Sequence, residues 1–334
     1  MIKDLVTILT PAYNSETLIP RLLNSVLEQT YAHISMIVVN DGSTDRTEEV
    51  IRSYIPKFEE RRYSLKIINQ ENSGQSAAIN NGLKYVDGEF LVWPDSDDWY
   101  ATSDAIEKLT NALKRYGDDV GIAHCAYNYV NEETMEVERV DYPNQGSEPH
   151  YMFDSAVYNG PGFWFAPGGW MIKTKFLDEL IPQREIYQSR LTGQNVQMLW
   201  PYLYAKKCIS VEEPLFTYLI RQNSHSRGLF KDIETKLRQQ DGYYETYKNV
   251  LLSLDLSKEK MDKILLNKEE EIILAKISIC ENAHDYAKMR FYSREYNRKC
   301  KQGIFCASLR RRIKYKLYSL PFLGMIVSKL KKHI

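Results

Sequence analysis

The sequence predicts an α/β protein: a mostly parallel sheet flanked by helices, followed by a C-terminal helical extension. Three observations predict it. Strand-like and helix-like patterns alternate over the first hundred residues, polar clusters fall at the ends of the strand-like runs, and a charged, helix-rich stretch occupies about 231–297. The first apolar run, 5–12, reads as a strand. Residues 15–29 carry Leu18, Leu22, Leu23, Val26 and Leu27 at helical spacing, and 35–39 is β-rich again. A helix over 44–58, a strand over 64–68, a helix over 75–85 and a strand over 89–94 complete the βαβ pattern. Further on the pattern is mixed. Strand candidates lie near 121–130 and 135–142, then comes the aromatic, glycine-rich stretch Gly160 to Trp170, and a boundary is placed near 230.

Open sheets of this kind bind ligands at the carboxyl ends of their strands. Asn14-Ser15, Asn40-Asp41-Gly42-Ser43 and Asp95-Ser96-Asp97-Asp98 all fall at such ends, so three separate segments should converge on one crevice. The acidic run follows the apolar segment Glu89 to Pro94. Carboxylates packed so closely repel one another unless a hard divalent ion accepts their oxygens, and Mg²⁺ or Mn²⁺ normally combines one or two carboxylates with substrate phosphates. A solvated, helix-capping turn is the plain alternative. Asp41 offers an acceptor to a nucleotide base and Thr44 a cap to the next helix, unless the segment is only a turn with its cap. There is no G-x-G-x-x-G after the first strand and no Walker lysine loop, which argues against dehydrogenases and P-loop ATPases.

Composition adds bounds. With 43% hydrophobic and 26% charged residues, the 334-residue chain is of ordinary globular make-up. Lys and Arg balance Asp and Glu at 44 each, yet eleven of the cations and none of the acids lie from Arg298 onward. The five cysteines, Cys125, Cys208, Cys280, Cys300 and Cys306, have neither disulfide-framework nor zinc-ligand spacing. The reading is a reducing, cytoplasmic compartment, with no signal peptide at the start of the chain.

The ordered set Thr10-Pro-Ala-Tyr-Asn14, Val38 to Asp45, Asn72-Ser-Gly-Gln-Ser-Ala-Ala-Ile-Asn80-Asn-Gly82 and Asp95 to Asp98 resembles the family 2 glycosyltransferases over about residues 3 to 228. The resemblance implies a GT-A fold, with a nucleotide-binding half at about 1–119 and an acceptor half at about 120–230. A helical extension over 231–303 and a basic amphipathic tail over 304–334 follow. It implies that Pro11, Ala12, Asn14, Asn80 and Ser96 lie at the nucleotide and that Asp41 reads its base. Asp95 then approaches the ribose or the metal, and Asp97 ligates Mn²⁺ or Mg²⁺. The expected reaction is direct displacement at the anomeric carbon of a nucleotide sugar, UDP-linked by preference, with a base taking the acceptor's proton.

At the base the chain departs from the family. Many relatives carry a Glu-Asp pair where this chain has Gln194-Asn195, and amides cannot act as bases near neutral pH. These two residues are expected to orient the acceptor or a water. Asp154, Glu185, Glu212, Glu213 and His225 stand as replacement bases. Arg221 and His225, in the segment that resembles the end of the family domain, suit a diphosphate. Trp164 and Trp170 suit either a sugar platform or core packing, and Trp99 reads as packing beneath the acids. The tail from Arg310 to Lys332 is too short in its apolar run to span a bilayer but fits an anionic interface, at the inner face of the cell membrane. The expected partners are therefore a nucleotide sugar, a glycan or lipid-linked glycan and a membrane surface, not nucleic acid. Two rivals stay open, a partner subunit that binds the donor without turnover and a nucleotidyltransferase.

Overall fold

The computed structural model describes residues 1–164, 166–221, 232–306 and 308–320. The chain divides into two compact units, residues 1–222 and 223–334.

In the first unit, β1 (Ile2–Ala12), α1 (Ile19–Leu27), β2 (Ile34–Asp41), α2 (Thr47–Glu60), β3 (Ser64–Gln70), α3 (Gln75–Leu83) and β4 (Gly88–Val92) alternate as the periodicity predicts. β1 lies between β2 and β4, parallel to both, and β3 continues the parallel set beside β2. These strands read as near-continuous apolar runs because helices cover them. Val6, Ile8, Leu9 and the Met36 to Val39 run are all buried.

After β4 come β5 (Trp99–Tyr100), α4 (Ala105–Lys114), β6 (Val120–Asn131), β7 (Val137–Asp141), α5 (Phe153–Tyr158), β8 (Trp170–Lys173), α6 (Leu177–Leu180), α7 (Asn195–Ala205) and β9 (Lys207–Ile220). The sheet order is β3-β2-β1-β4-β8-β6-β9-β5, with β7 on the flank of β6. β8 enters antiparallel between β4 and β6, and β9 runs parallel to β6. Pro214, which has no N–H to give, sits where the β6–β9 register shifts. The chain therefore leaves β1 in two directions, through β2 and β3 on one side and β4 on the other. Such a reversal of strand order opens a crevice at the carboxyl ends.

The second unit comprises α8 (Ile233–Leu252), α9 (Lys258–Asn282), α10 (Tyr286–Lys301) and α11 (Leu309–Tyr318). Each begins at a side-chain cap, Asp232, Ser257, Asp285 and Ser308, which accepts a backbone N–H three residues on. Its core gathers Leu237, Ile273, Ile277, Met289, Tyr296, Phe305, Tyr315 and Tyr318. Among the described residues no helix is long and apolar enough to cross a membrane.

Candidate active site

The crevice is laced together by short polar side chains. Asn14, at φ +47°, donates its N–H to Ser43 Oγ and accepts the Thr44 N–H. Ser15 donates its N–H to Thr47 Oγ1 and shares a hydrogen bond of 2.9 Å with Ser96 Oγ. The loops after β1, β2 and β4 are thus bound to one another. Thr44 does not cap α2: its N–H turns back to Asn14, and Asp45 accepts the Thr47 N–H instead. Pro11 and Ala12 are buried at the end of β1, beside Val39 and Asn40.

Asp41 is buried, and its Oδ1 accepts from Gln70 Nε2 and the Ser73 N–H at 2.8 Å each. Its Oδ2 accepts the Gly74 N–H at 2.9 Å. The carboxylate therefore fixes the turn that launches α3. Asn80, one turn and a half into α3, is engaged at both ends of its amide: Nδ2 donates to the Ile186 carbonyl and Oδ1 accepts the Ile186 N–H. It anchors the 186–193 segment over α3. Ser76 Oγ adds a long bond to the Thr192 carbonyl, and Arg190 reaches the Asn72 carbonyl.

The acids gather as the strand-tip pattern implied. Oxygens of Asp95, Asp97 and Asp98 all lie within 4.8 Å of one another. Burial, then the Asp97 charge, pushes the Asp95 carboxyl up to about 7. Burial and both neighbouring carboxylates raise Asp98 well above the usual range. Asp98 Oδ1 accepts the Leu219 N–H at 2.9 Å, whereas its Oδ2 is buried without a partner. Asp97 is compensated: Arg221 Nη1 donates to its Oδ2 at 2.8 Å, and Glu132 lies 3.4 Å from Arg221 Nε. An orphaned carboxylate oxygen beside two further carboxylates is a donor set that suits a hard divalent cation. Asp95 and Asp97 are the expected ligands, and Asp98 brings the unpartnered oxygen to the same cluster.

Gln194 and Asn195 open α7, and both are drawn into this site. Gln194 is fully buried and donates from Nε2 to Asp95 Oδ1 at 3.2 Å; Gln75 Nε2 donates to the same oxygen at 2.7 Å. Gln194 Oε1 and Asn195 Oδ1 are buried without partners. The sequence reading missed Gln75 and Glu132. Gln75 stands inside the Asn72 to Gly82 motif, so its position was available; Glu132 follows β6 far along the chain and carries no local signal.

The remaining candidates scatter. Glu212 accepts the backbone N–H groups of Asn144 and Gln145, Glu213 pairs with Lys108, and Glu185 is exposed. Asp154 lies in the first turn of α5. His225 falls outside the described residues. Trp170 is fully buried, with the His124 ring stacked on it at 4.4 Å, so it packs the core and offers no platform to a sugar. Trp164 lies against the same His124 and edge-on to Tyr127. Trp99 carries the Arg21 guanidinium over its ring at 4.7 Å.

Fold and crevice together define the GT-A type of nucleotide-sugar fold, an open α/β sheet with an acidic cluster after its fourth strand. The profile of Glycosyl transferase family 2 matches residues 7–181, more than half of the chain, and the chain belongs to that family. It is 29% identical over 234 residues to the glycosyltransferase GlyA of Streptococcus pneumoniae, a stretch covering 68% of this chain and 32% of that protein. It is 38% identical over 133 residues to the Bacillus subtilis protein named "Putative teichuronic acid biosynthesis glycosyltransferase TuaG", covering 40% of this chain and 48% of the other. The chain thus spans less than half the length of either relative. Among solved structures, S. aureus TarS 1-349 in complex with UDP-GlcNAc superposes with a TM-score of 0.63 at 17% identity, over 90% of this chain and 92% of that one. The mannosyltransferase PcManGT of Pyrobaculum calidifontis, in complex with GDP-Man and Mn²⁺, gives 0.52 at 16% identity, over 99% and 87%. At these identities the likeness is one of fold.

Proposed function

We propose that the chain transfers a sugar from a nucleotide sugar, UDP-linked by preference, to a glycan or lipid-linked glycan, with inversion and with Mn²⁺ or Mg²⁺, in surface-polysaccharide synthesis. The observation that carries this reading is the gathering of Asp95, Asp97 and Asp98 around an unpartnered buried oxygen at the carboxyl end of β4. When bound there, the cation supplies charge neutralisation to a departing nucleoside diphosphate. The chain's own residues do the rest. Asp41, held by the turn before α3, presents its carboxylate to the base, while Asn14 and Ser96 shape the crevice floor. Arg221, paired with Asp97, is a forked donor of the kind that suits a diphosphate. TarS and PcManGT were solved with UDP-GlcNAc and GDP-Man, and the name of TuaG refers to teichuronic acid biosynthesis; both agree with the reading.

One observation favours a second reading, a donor-binding partner subunit without turnover: amides stand at 194 and 195, and neither can take a hydroxyl proton. Family membership sets the nucleotidyltransferase aside. Calorimetric titration with UDP, GDP and dTDP, with and without Mn²⁺, beside Asp97→Ala tests the donor site. Mn²⁺-dependent binding that the variant loses is expected; a chain that binds no nucleotide would end the reading. Transfer to an acceptor then separates enzyme from partner subunit.

A peripheral contact with the inner face of the cell membrane belongs to the same proposal. It is supported by α11, whose exposed side shows Arg310, Arg312 and Lys316 around Ile313.

A further inference from the structure

We infer that Gln194, together with Gln75, is a positioning residue that clamps Asp95 through two amide donors on one carboxylate oxygen. The inference rests on the donor-site reading above. Carboxamides from the first residue of α3 and from the cap of α7 both donate to Asp95 Oδ1, at 2.7 and 3.2 Å. With both donors on one oxygen, Asp95 can turn Oδ2 to a ligand without giving up either bond. The amide of Gln194 can sit only this way round: its NH₂ faces the carboxylate, since the reverse would oppose two oxygens. Its Oε1 is left buried and unpartnered, so the side chain holds this place at a desolvation cost that packing alone does not explain.

The surrounding backbone is shaped to the clamp. Residue 193 is glycine, and a Cβ there would come within 3.0 Å of Gln75 Oε1. Asn80 pins Ile186, and Ser76 and Arg190 hold Thr192 and Asn72, so the segment that delivers Gln194 is fastened to the helix that delivers Gln75.

A glutamate at 194 would replace the donated N–H with a group that only accepts, leaving Asp95 Oδ1 with Gln75 as its single amide donor.

The test is UDP titrated into the parent chain, Gln194→Glu, Gln194→Ala and Gln75→Ala, with and without Mn²⁺. Gln194→Glu, which faces Asp95 with acceptors in place of a donor, is expected to raise the Kd for UDP in Mn²⁺ about tenfold. Each alanine variant is expected to raise it about threefold. Binding of UDP without metal should stay near the parent's, which a general loss of structure would not allow. Gln75→Ala keeps the test valid should the buried Gln194 variants fold poorly. Tighter Mn²⁺-dependent binding by Gln194→Glu, or faster sugar transfer, would overturn the clamp and mark 194 as a ligand or base position. If the parent binds UDP with Mn²⁺ and the variants match it, the clamp alone falls; if the parent binds no nucleotide, the donor-site reading falls and takes the clamp with it.

Discussion

Asp95 and His124 pull the stability of the metal-free chain in opposite directions, and the pH at which each acts separates them. Asp95, lifted to about 7 by burial and Asp97, holds a proton in the native state that the unfolded chain has already released; Asp98, raised well above the usual range, does the same. Stability therefore falls as pH rises through this window. His124, buried against Trp170 and Ser210, is pushed down to about 3, so the native state binds fewer protons than the unfolded one and stability rises until its ordinary 6.5. Above about pH 6.5 the histidine effect is complete while Asp95 is still losing its proton, so the metal-free Tm should go on falling toward about pH 8.5, with about 1 kcal/mol of stability lost from Asp95. Mn²⁺ with UDP should flatten that slope, because ligated carboxylates need no proton; a Tm that climbs over this range contradicts the acidic cluster as described. Gly42 gives a second residue-scale prediction. At φ +70°, with a Cβ that would lie 2.6 Å from the Asn72 nitrogen, it lets the turn after Asp41 close on the loop before α3. Gly42→Ala should cost about 2 kcal/mol or more by thermal denaturation and weaken nucleotide binding as well. Asp41, Asp95 and Asp97 were legible because their chemistry is written in consecutive residues. The Gln194–Asp95 bond was not, because it joins positions 99 residues apart, and only the tertiary fold brings this amide to the acid.

At the scale of elements, the alternating first half was readable nearly to its boundaries, since parallel strands under helices give apolar runs and the helices a 3.6-residue stripe. The second half was less so. β8 has only four residues and enters antiparallel, β5 has two, and both lack a period long enough to register. α4 has a clear apolar stripe at Ile106, Leu109 and Leu113 that the sequence reading passed over. The element with most bearing on function is the 186–193 segment, which has no regular structure and is placed by side chains. Asn80 bonds both polar groups of Ile186 in a buried setting, at 2.9 and 2.8 Å. Asn80→Ala should leave that N–H and carbonyl without partners and cost about 2–4 kcal/mol by denaturant unfolding. It should also loosen Gln194 from Asp95, so Mn²⁺-dependent UDP binding weakens more than metal-free binding. Asn80→Ala with unaltered nucleotide affinity would show that the segment keeps its place by other means.

For the molecule as a whole, formal neutrality conceals a chain whose last part is cationic, and α11 shows how that charge is arranged. One side of the helix turns Tyr315 and Tyr318 into the core of the second unit, where Tyr315 meets Tyr296 edge-on and the Tyr318 hydroxyl donates to Glu281. The other side leaves Ile313 51% exposed among the exposed Arg310, Arg312 and Lys316, and Leu320, two residues past the helix, is 39% exposed. Exposed apolar side chains set among cations suit the headgroup layer of an anionic membrane. Arg294 of α10 donates to the Ser319 carbonyl, and Phe291, 65% exposed, stands one turn before it, which widens the same margin. This arrangement also decides how the contact should be tested. Deleting residues 304–334 would remove Phe305, Tyr315 and Tyr318 from the core, and large buried rings cost about 3–5 kcal/mol each when truncated, so loss of binding could follow from unfolding alone. Substituting only outward side chains avoids this. The triple variant Arg310→Gln, Arg312→Gln, Lys316→Gln should float with phosphatidylglycerol vesicles at least about tenfold less than the parent, given about 1 kcal/mol per cation near such a surface. Ile313→Ser with Leu320→Ser should weaken binding without removing its salt dependence. Neutral phosphatidylcholine vesicles should recruit little of either protein, and high salt should release the parent. Equal recruitment to neutral and anionic vesicles, or a triple variant that binds as the parent does, would detach this helix from the membrane and return its charge to a solvated surface.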